Sequence, residues 1–175
     1  MAAAPWLGHH HSMGRRLVLA AALGVVAAAC GSTPSGPDPA TIERVGLDGI
    51  PGLPALDIDV PRFVRPTQLE GVTPVVYMFT GGSLRLGLLA HITIGANPHP
   101  GSGLTRLPLC RGTVTHTALA GHPAEVCDEP RGRATTVVYP EGDLFCRTTW
   151  TSDDRSRWRA VIAALDAACG TLRRR

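Results

Sequence analysis

Lysine is missing from this 175-residue chain, and all seventeen of its basic residues are arginine. With Arg15 and Arg16 set aside, the remaining fifteen arginines face fourteen acidic residues, which is close to neutrality. A nucleic-acid binder needs a basic surplus gathered on one face, and none is present. The one gathered charge, Arg173-Arg174-Arg175, reads as a solvated tail. Aromatic residues make up only 5% of the chain, so a core has to be assembled mainly from aliphatic side chains. The longest apolar run, residues 17–29, falls well short of the ~20 residues that a membrane-spanning helix needs.

Catalytic signatures are missing as well. No Gly-x-Ser-x-Gly elbow is present; Gly101-Ser102-Gly103 lacks its flanks and sits in a loop pattern. There is no His-Glu-x-x-His, no phosphate-cradling loop and no dinucleotide fingerprint. No Cys-x-x-Cys supports thiol–disulfide catalysis. His91, His99, His116 and His122 can each act as a base, yet none has an identified nucleophile or orienting carboxylate. The expectation is a non-enzyme without cofactor or metal.

What is present begins at the N-terminus. Arg15-Arg16 precedes the apolar run, which ends in Ala27-Ala28-Ala29 directly before Cys30. A charged segment, a short apolar segment and small residues before a cleavage point make a secretory signal. A cysteine directly after those small residues resembles the lipobox of bacterial lipoproteins. Ala27 stands where that family prefers Leu, which leaves ordinary cleavage near Ala29 as the rival. The resemblance implies that Cys30 is diacylated, that residues 1–29 are removed, and that the mature protein is tethered to the outer face of the cell membrane. Met13 is the more natural start, and residues 1–12, including His9-His10-His11, read as a misassigned leader. Arg15-Arg16-Leu17 also resembles a twin-arginine export signal, so the route stays open. The all-arginine basic set, with twenty Gly and fifteen Pro, resembles a high-GC, actinobacterial composition.

Four cysteines remain in the mature chain: Cys110, Cys127, Cys146 and Cys169. An even count outside the cytoplasm reads as two disulfides, with three connectivities possible. The expected pairs are Cys110–Cys127 and Cys146–Cys169. Cys169 lies on the apolar stripe of a predicted helix, and Cys146 lies in the strand before it. The other pair then brackets the Ala120-Gly121 turn. A zinc site from Cys110, His116, His122 and Cys127 is the rival, but its spacing matches no compact zinc pattern.

Residues 31–39 form a Gly/Ser/Pro linker. Residues 40–66 carry Pro51, Pro54, Pro61 and Pro66 and are expected to be irregular, with a possible short helix at 41–45. Asp57 and Asp59 flank Ile58 at strand spacing and are expected to face solvent together. Residues 74–80 read as a strand, and Gly81-Gly82 as a hairpin turn. From Leu84 to Ile94 apolar residues alternate with Arg85, Gly87, Leu89, His91 and Thr93, which predicts one long strand with His91 on the polar face. His99 falls in a Pro/Gly loop at 97–108. Further strands are predicted at 113–119, 122–127, 134–139 and 144–150.

Ser152 or Asp153 is expected to cap a helix over 153–169. Trp158, Val161, Ile162, Leu165, Cys169 and Leu172 make its apolar stripe, and Gly170 its stop. Hairpins followed by one amphipathic helix predict an α+β domain over 67–175: an antiparallel sheet of about six strands with the helix on its apolar face. The pattern around residues 121–150 resembles the sheet-plus-helix endings of small bacterial lipoproteins, some PsbP-like and others lipid carriers. That resemblance implies a fold class and no functional residue.

The functional expectation is an extracytoplasmic binding module at the cell envelope. Its partners are the membrane, through Cys30, and an unknown envelope protein or amphiphile. The alternatives are a carrier holding an amphiphile between sheet and helix, and an envelope enzyme. Whether the space between sheet and helix is filled separates them.

Overall fold

In the computed structural model, Leu88, Ala90, Ile92 and Ile94 are buried on one face of a strand. His91 and Thr93 stand half-buried on the other. The structure describes residues 38–48, 52–67, 76–97, 110–139 and 144–175. These belong to one compact unit, Ser35–Arg175. The signal segment, Cys30, residues 31–37 of its linker and His99 lie outside the described residues.

Among the described residues there are ten strands and one α-helix. The strands are β1 (Ile42–Leu47), β2 (Leu56–Pro61), β3 (Arg65–Thr67), β4 (Val76–Ser83), β5 (Leu88–Ala96), β6 (Thr113–Leu119), β7 (His122–Glu129), β8 (Gly132–Tyr139), β9 (Leu144–Ser152) and β10 (Arg173–Arg174). The helix, α1, is Arg159–Ala168. A seven-stranded antiparallel sheet runs in the order β3-β4-β5-β9-β8-β7-β6, and a three-stranded sheet in the order β1-β2-β10. The class is α+β, with more strands than the expected six.

The cause of the extra strands is local. The described residues of the 40–66 stretch are mostly strand: β1, β2 and the start of β3. Leu56, Ile58 and Val60 alternate with Asp57 and Asp59, and the three apolar residues are buried. The prolines sit where a strand tolerates them: Pro61 ends β2, and Pro66 lies on the edge strand β3. The possible helix at 41–45 is instead part of β1, paired with β2 from Ile42↔Pro61 to Leu47↔Leu56. β2, α1 and the large sheet share one core, in which Ile58, Ile92, Ile94 and Leu165 are fully buried.

Gly81-Gly82 is not the turn. Both residues lie inside β4, where a Cβ on Gly81 would stand 2.4 Å from the Phe63 carbonyl oxygen and one on Gly82 2.1 Å from that of Leu88. The glycines are there for close approach of backbone. The chain reverses at Leu84–Leu86, a single 3₁₀ turn closed by Gly87 at φ 80°. Leu84 and Leu86 are therefore 66% and 51% exposed, and the strand predicted from Leu84 begins at Leu88. The two-residue turn at Ala120-Gly121 does form, with φ 50° and 84°.

The helix starts later than expected. Asp154, not Ser152 or Asp153, organises its approach: Oδ1 accepts from the backbone N–H of Ser156 and of Arg157, both at 3.0 Å. Ser152 instead donates to the Gly87 carbonyl. Of the stripe, Val161, Leu165, Cys169 and Leu172 are buried and Trp158 and Ile162 half-buried; Ala168, outside it, is buried as well. Gly170 lies within a 3₁₀ turn, Cys169–Thr171. A Cβ there would lie 3.0 Å from Leu119, so Gly170 serves close packing rather than a left-handed stop.

The terminal arginines are not a loose tail. Arg173 and Arg174 pair with Asp57 and Leu56 of β2. Arg173 reaches Asp59 Oδ1 at 3.3 Å, and Arg175 reaches Asp57 Oδ1 at 3.1 Å as well as Asp48. Arg44 holds Asp59 from the other side at 3.0 Å. Asp57 and Asp59 thus share the outer face, as the spacing predicts, but as ion-pair partners.

Candidate functional site

α1 packs against β2 and β9, and its face toward β6–β8 carries small residues. Ala163 and Ala167 stand four apart, so they share one side of the helix. Opposite them, the helix-facing residues of the sheet are Thr117, Leu119, Ala124, Val126 and Thr135. Small side chains meeting short ones leave a slot of about 250 Å³. Toward the start of the helix it widens into a mouth of about 470 Å³, lined by Arg133, Trp150, Arg155, Ser156, Arg159 and Ile162. Arg133, Ala163 and Asp166 line both parts.

Asp166 is the pivot of the charged end. Trp150 donates its indole N–H to Oδ1 at 2.9 Å. Arg133 stands 3.4 Å from Oδ2. Burial pushes the Asp166 carboxyl above the ordinary aspartate value, against the lowering pull of Trp150 and Arg133. Arg155 lies over the Trp150 ring, 4.9 Å from its centroid, and reaches Asp128 Oδ1 at 3.4 Å. Two polar atoms here are buried without a hydrogen-bond partner: Arg133 Nε and Thr135 Oγ1. Thr135 is only 4% exposed. Buried donors are rarely left unpaired; the other two such atoms among the described residues, Tyr77 Oη and Trp158 Nε1, lie outside the cleft lining.

The Thr135 hydroxyl has no base within hydrogen-bond reach among the described residues. Asp166 is engaged by Trp150 and Arg133. Nucleophilic catalysis needs a nucleophile held by its base.

The opposite face of the sheet carries a second polar feature. The registers Thr93↔Arg147, Arg147↔Thr136, Thr136↔Glu125 and Glu125↔His116 set one row across β5, β9, β8, β7 and β6. Thr136 and Glu125 are buried at 0% and 5% exposure. Arg147 donates from Nε to Thr136 Oγ1 at 3.0 Å. Its burial lowers its pKa, opposed by the nearby Glu125. His91 lies on the same face of β5, opposite Thr149.

Cys110 and Cys127 are joined, with Cα atoms 5.8 Å apart, and so are Cys146 and Cys169, at 5.5 Å. Cys110, Cys127 and Glu129 also bring three potential ligand atoms together, but both sulfurs are spent in the bond. His122 does not approach a metal set either: it packs on Tyr139, ring centroids 4.3 Å apart. Tyr139 donates its hydroxyl to the Cys169 carbonyl, and burial raises its pKa to about 12.

Arg133, Asp166, Thr135 and Trp150 were not singled out by sequence as a site. Arg133 and Trp150 are cross-strand partners, and Asp166 enters from the helix. The one available signal was Asp166 interrupting a small-residue helix face between Ala163 and Ala167. No protein-family model matches this chain, and no curated protein matches it.

Proposed function

We propose that the protein is an extracytoplasmic lipoprotein, anchored through Cys30 at the outer face of the cell membrane, that acts as a binding module through the cleft between α1 and β6–β8. The observation that carries this reading is the pair of unpartnered buried donors, Arg133 Nε and Thr135 Oγ1, in the wall of an open cleft whose carboxylate, Asp166, is already held by Trp150 and Arg133. Preformed clefts with a few convergent polar groups are the usual form of a small-ligand site. Two disulfides suit an oxidising compartment. The residues before Cys30 suit export and lipid attachment.

A carrier that encloses its cargo between sheet and helix is less well supported. Ile92, Ile94 and Leu165 fill the space beneath α1 and are 0% exposed. The open space lies beside the helix, over β6–β8.

The tether is tested by cell fractionation of Cys30→Ala. The parent is expected in the membrane and the variant released; equal retention overturns the lipoprotein assignment. The cleft is tested by native mass spectrometry of the full chain extracted from membranes, beside Ala163→Trp. Ala163 is exposed on the helix surface, so an indole there fills the cleft without disturbing the core. The parent is expected to carry a bound component that the variant lacks. A component present on both, or on neither, overturns the site.

A further inference from the structure

We infer that the cleft takes a single-chain anionic amphiphile: an acidic headgroup at Arg133, Arg155 and Arg159, and a short aliphatic tail along Val126 and Leu119. This rests on the reading of the cleft as a binding site and names the chemistry of its ligand.

The mouth is cationic. Its lining includes Arg133, Arg155 and Arg159; Asp166 faces Arg133 and Asp128 faces Arg155, which leaves one arginine charge uncompensated. The Asp166 carboxylate is engaged by Trp150 and Arg133. Arg159 carries no ion pair among the described residues. Arg133 leaves Nε unpartnered inside the cleft, and Thr135 adds an unpartnered hydroxyl beside it. A guanidinium N–H and a hydroxyl that both lack an acceptor call for an oxygen-rich anion. Arginine is the side chain best matched to carboxylate and phosphate geometry. The Arg155 guanidinium, laid over Trp150, is balanced by Asp128 at 3.4 Å, so Arg159 is the unpaired cation of the mouth.

The slot behind the mouth has the opposite character. Leu119, Ala124, Val126, Ala163 and Ala167 line it with alkyl groups. The slot offers about 250 Å³ and is open to solvent along one side, which suits a short alkyl chain lying along its wall. One tail along Val126 and Leu119 is enough to cover this alkyl lining, and the occupant is taken as single-chain on that ground.

The test uses the full chain in nanodiscs of zwitterionic lipid, with empty nanodiscs correcting for partitioning. The probes are octanoate, octyl phosphate, octanol and acetate. The readouts are the ¹H–¹⁵N signals of Arg133 Nε, assigned by its loss in Arg133→Lys, and of the Trp150 indole. Octanoate and octyl phosphate are expected to shift both signals saturably, with acetate about tenfold or more weaker for want of a tail. Octanol is expected to shift neither. Arg159→Gln, at an exposed position, should weaken octanoate about tenfold, and Ala163→Trp should abolish it. Octanol binding as well as octanoate, or acetate binding as well as octanoate, overturns the amphiphile. So does unchanged octanoate binding in both variants. If neither octanoate nor octyl phosphate shifts Arg133 Nε while Ala163→Trp still strips a native component, the amphiphile falls and the cleft stands. If no component is found and no probe binds, both fall.

Discussion

Trp150 on β9 donates its indole N–H to Asp166 on α1 at 2.9 Å, and this bond crosses from sheet to helix at the edge of the cleft. Burial raises the pKa of Asp166 above its ordinary value of 3.8. The folded chain therefore holds the Asp166 proton more tightly than the unfolded chain does. The stability this gives is fully present below 3.8 and is lost as pH rises through the raised folded value. Urea denaturation of the parent and of Asp166→Asn across this window checks the sign. The difference between the two should change over that rise, with the parent losing stability that the variant does not. A pH-independent difference would show that Asp166 titrates as an exposed aspartate.

Asp59 should behave in the opposite sense. Hydrogen bonds from Arg44 and Arg173 hold its carboxyl below the ordinary value, against the effect of burial. Its contribution is present above 3.8 and is lost as pH falls through the lowered folded value. Asp59→Asn should remove that acid-side loss. Removing residues 173–175 should also lower the urea midpoint at neutral pH, because it deletes β10, takes Arg175 from Asp57 and leaves Asp59 with Arg44 alone. Individual ion pairs at such partly exposed sites contribute little, so the effect is modest. An unchanged midpoint would mean that the terminal arginines behave as the solvated tail their sequence suggests.

The two disulfides should differ in cost. Each closes a loop of similar length, with sequence separations of 17 and 23, so the loop-entropy contribution is roughly 2–4 kcal/mol for both. Cys146 and Cys169, however, are each 0% exposed in the core, beside Thr148. Cys127 is buried too, at 4% exposure, but Cys110 is only half-buried. Cys146→Ala with Cys169→Ala also leaves a cavity, and should destabilise by about 1 kcal/mol more than Cys110→Ala with Cys127→Ala. Equal losses in urea denaturation would show that the core closes around the missing sulfurs.

Much of the fold was legible because it is local. Alternation at 113–119, 122–127, 134–139 and 144–150 found β6 to β9, since a half-buried strand has to repeat every two residues. Three features were hidden for different reasons. Period two says which face a residue takes but not where a strand begins, so Leu84 and Leu86 were read into β5 although they form the reversal before it. Gly-Gly reads equally as a turn and as a place of close backbone approach, and only the position of Phe63 decides between them. A two-residue strand such as β10 has no period at all, and its three arginines look solvated until Asp57 and Asp59 are placed beside them. The candidate site was illegible for the same reason. Arg133, Thr135 and Asp166 meet only after β8 and α1 have packed, and the unpaired state of Arg133 Nε and Thr135 Oγ1 has no counterpart in sequence.

Trp158→Ala and His91→Ala together test the register on which the cleft depends. Full burial of Trp158, as its stripe position suggests, would make truncation cost roughly 3–5 kcal/mol. In the fold Trp158 is half-buried at the start of α1. One side of its ring packs on Phe63, centroids 5.5 Å apart, and Arg157 lies over it at 5.0 Å. Its indole nitrogen is buried without a hydrogen-bond partner, which detracts from what the ring gains by packing. The expected loss is therefore smaller, about 1–3 kcal/mol. His91 lies on the opposite face of β5, between Thr80 and Thr149, and its truncation should cost under about 1 kcal/mol. A slip of one residue would exchange these faces, carrying His91 to the helix side and the Arg133 side chain out of the cleft. Urea denaturation in which His91→Ala unfolds the domain while Trp158→Ala is silent would therefore overturn the sheet register and the cleft with it.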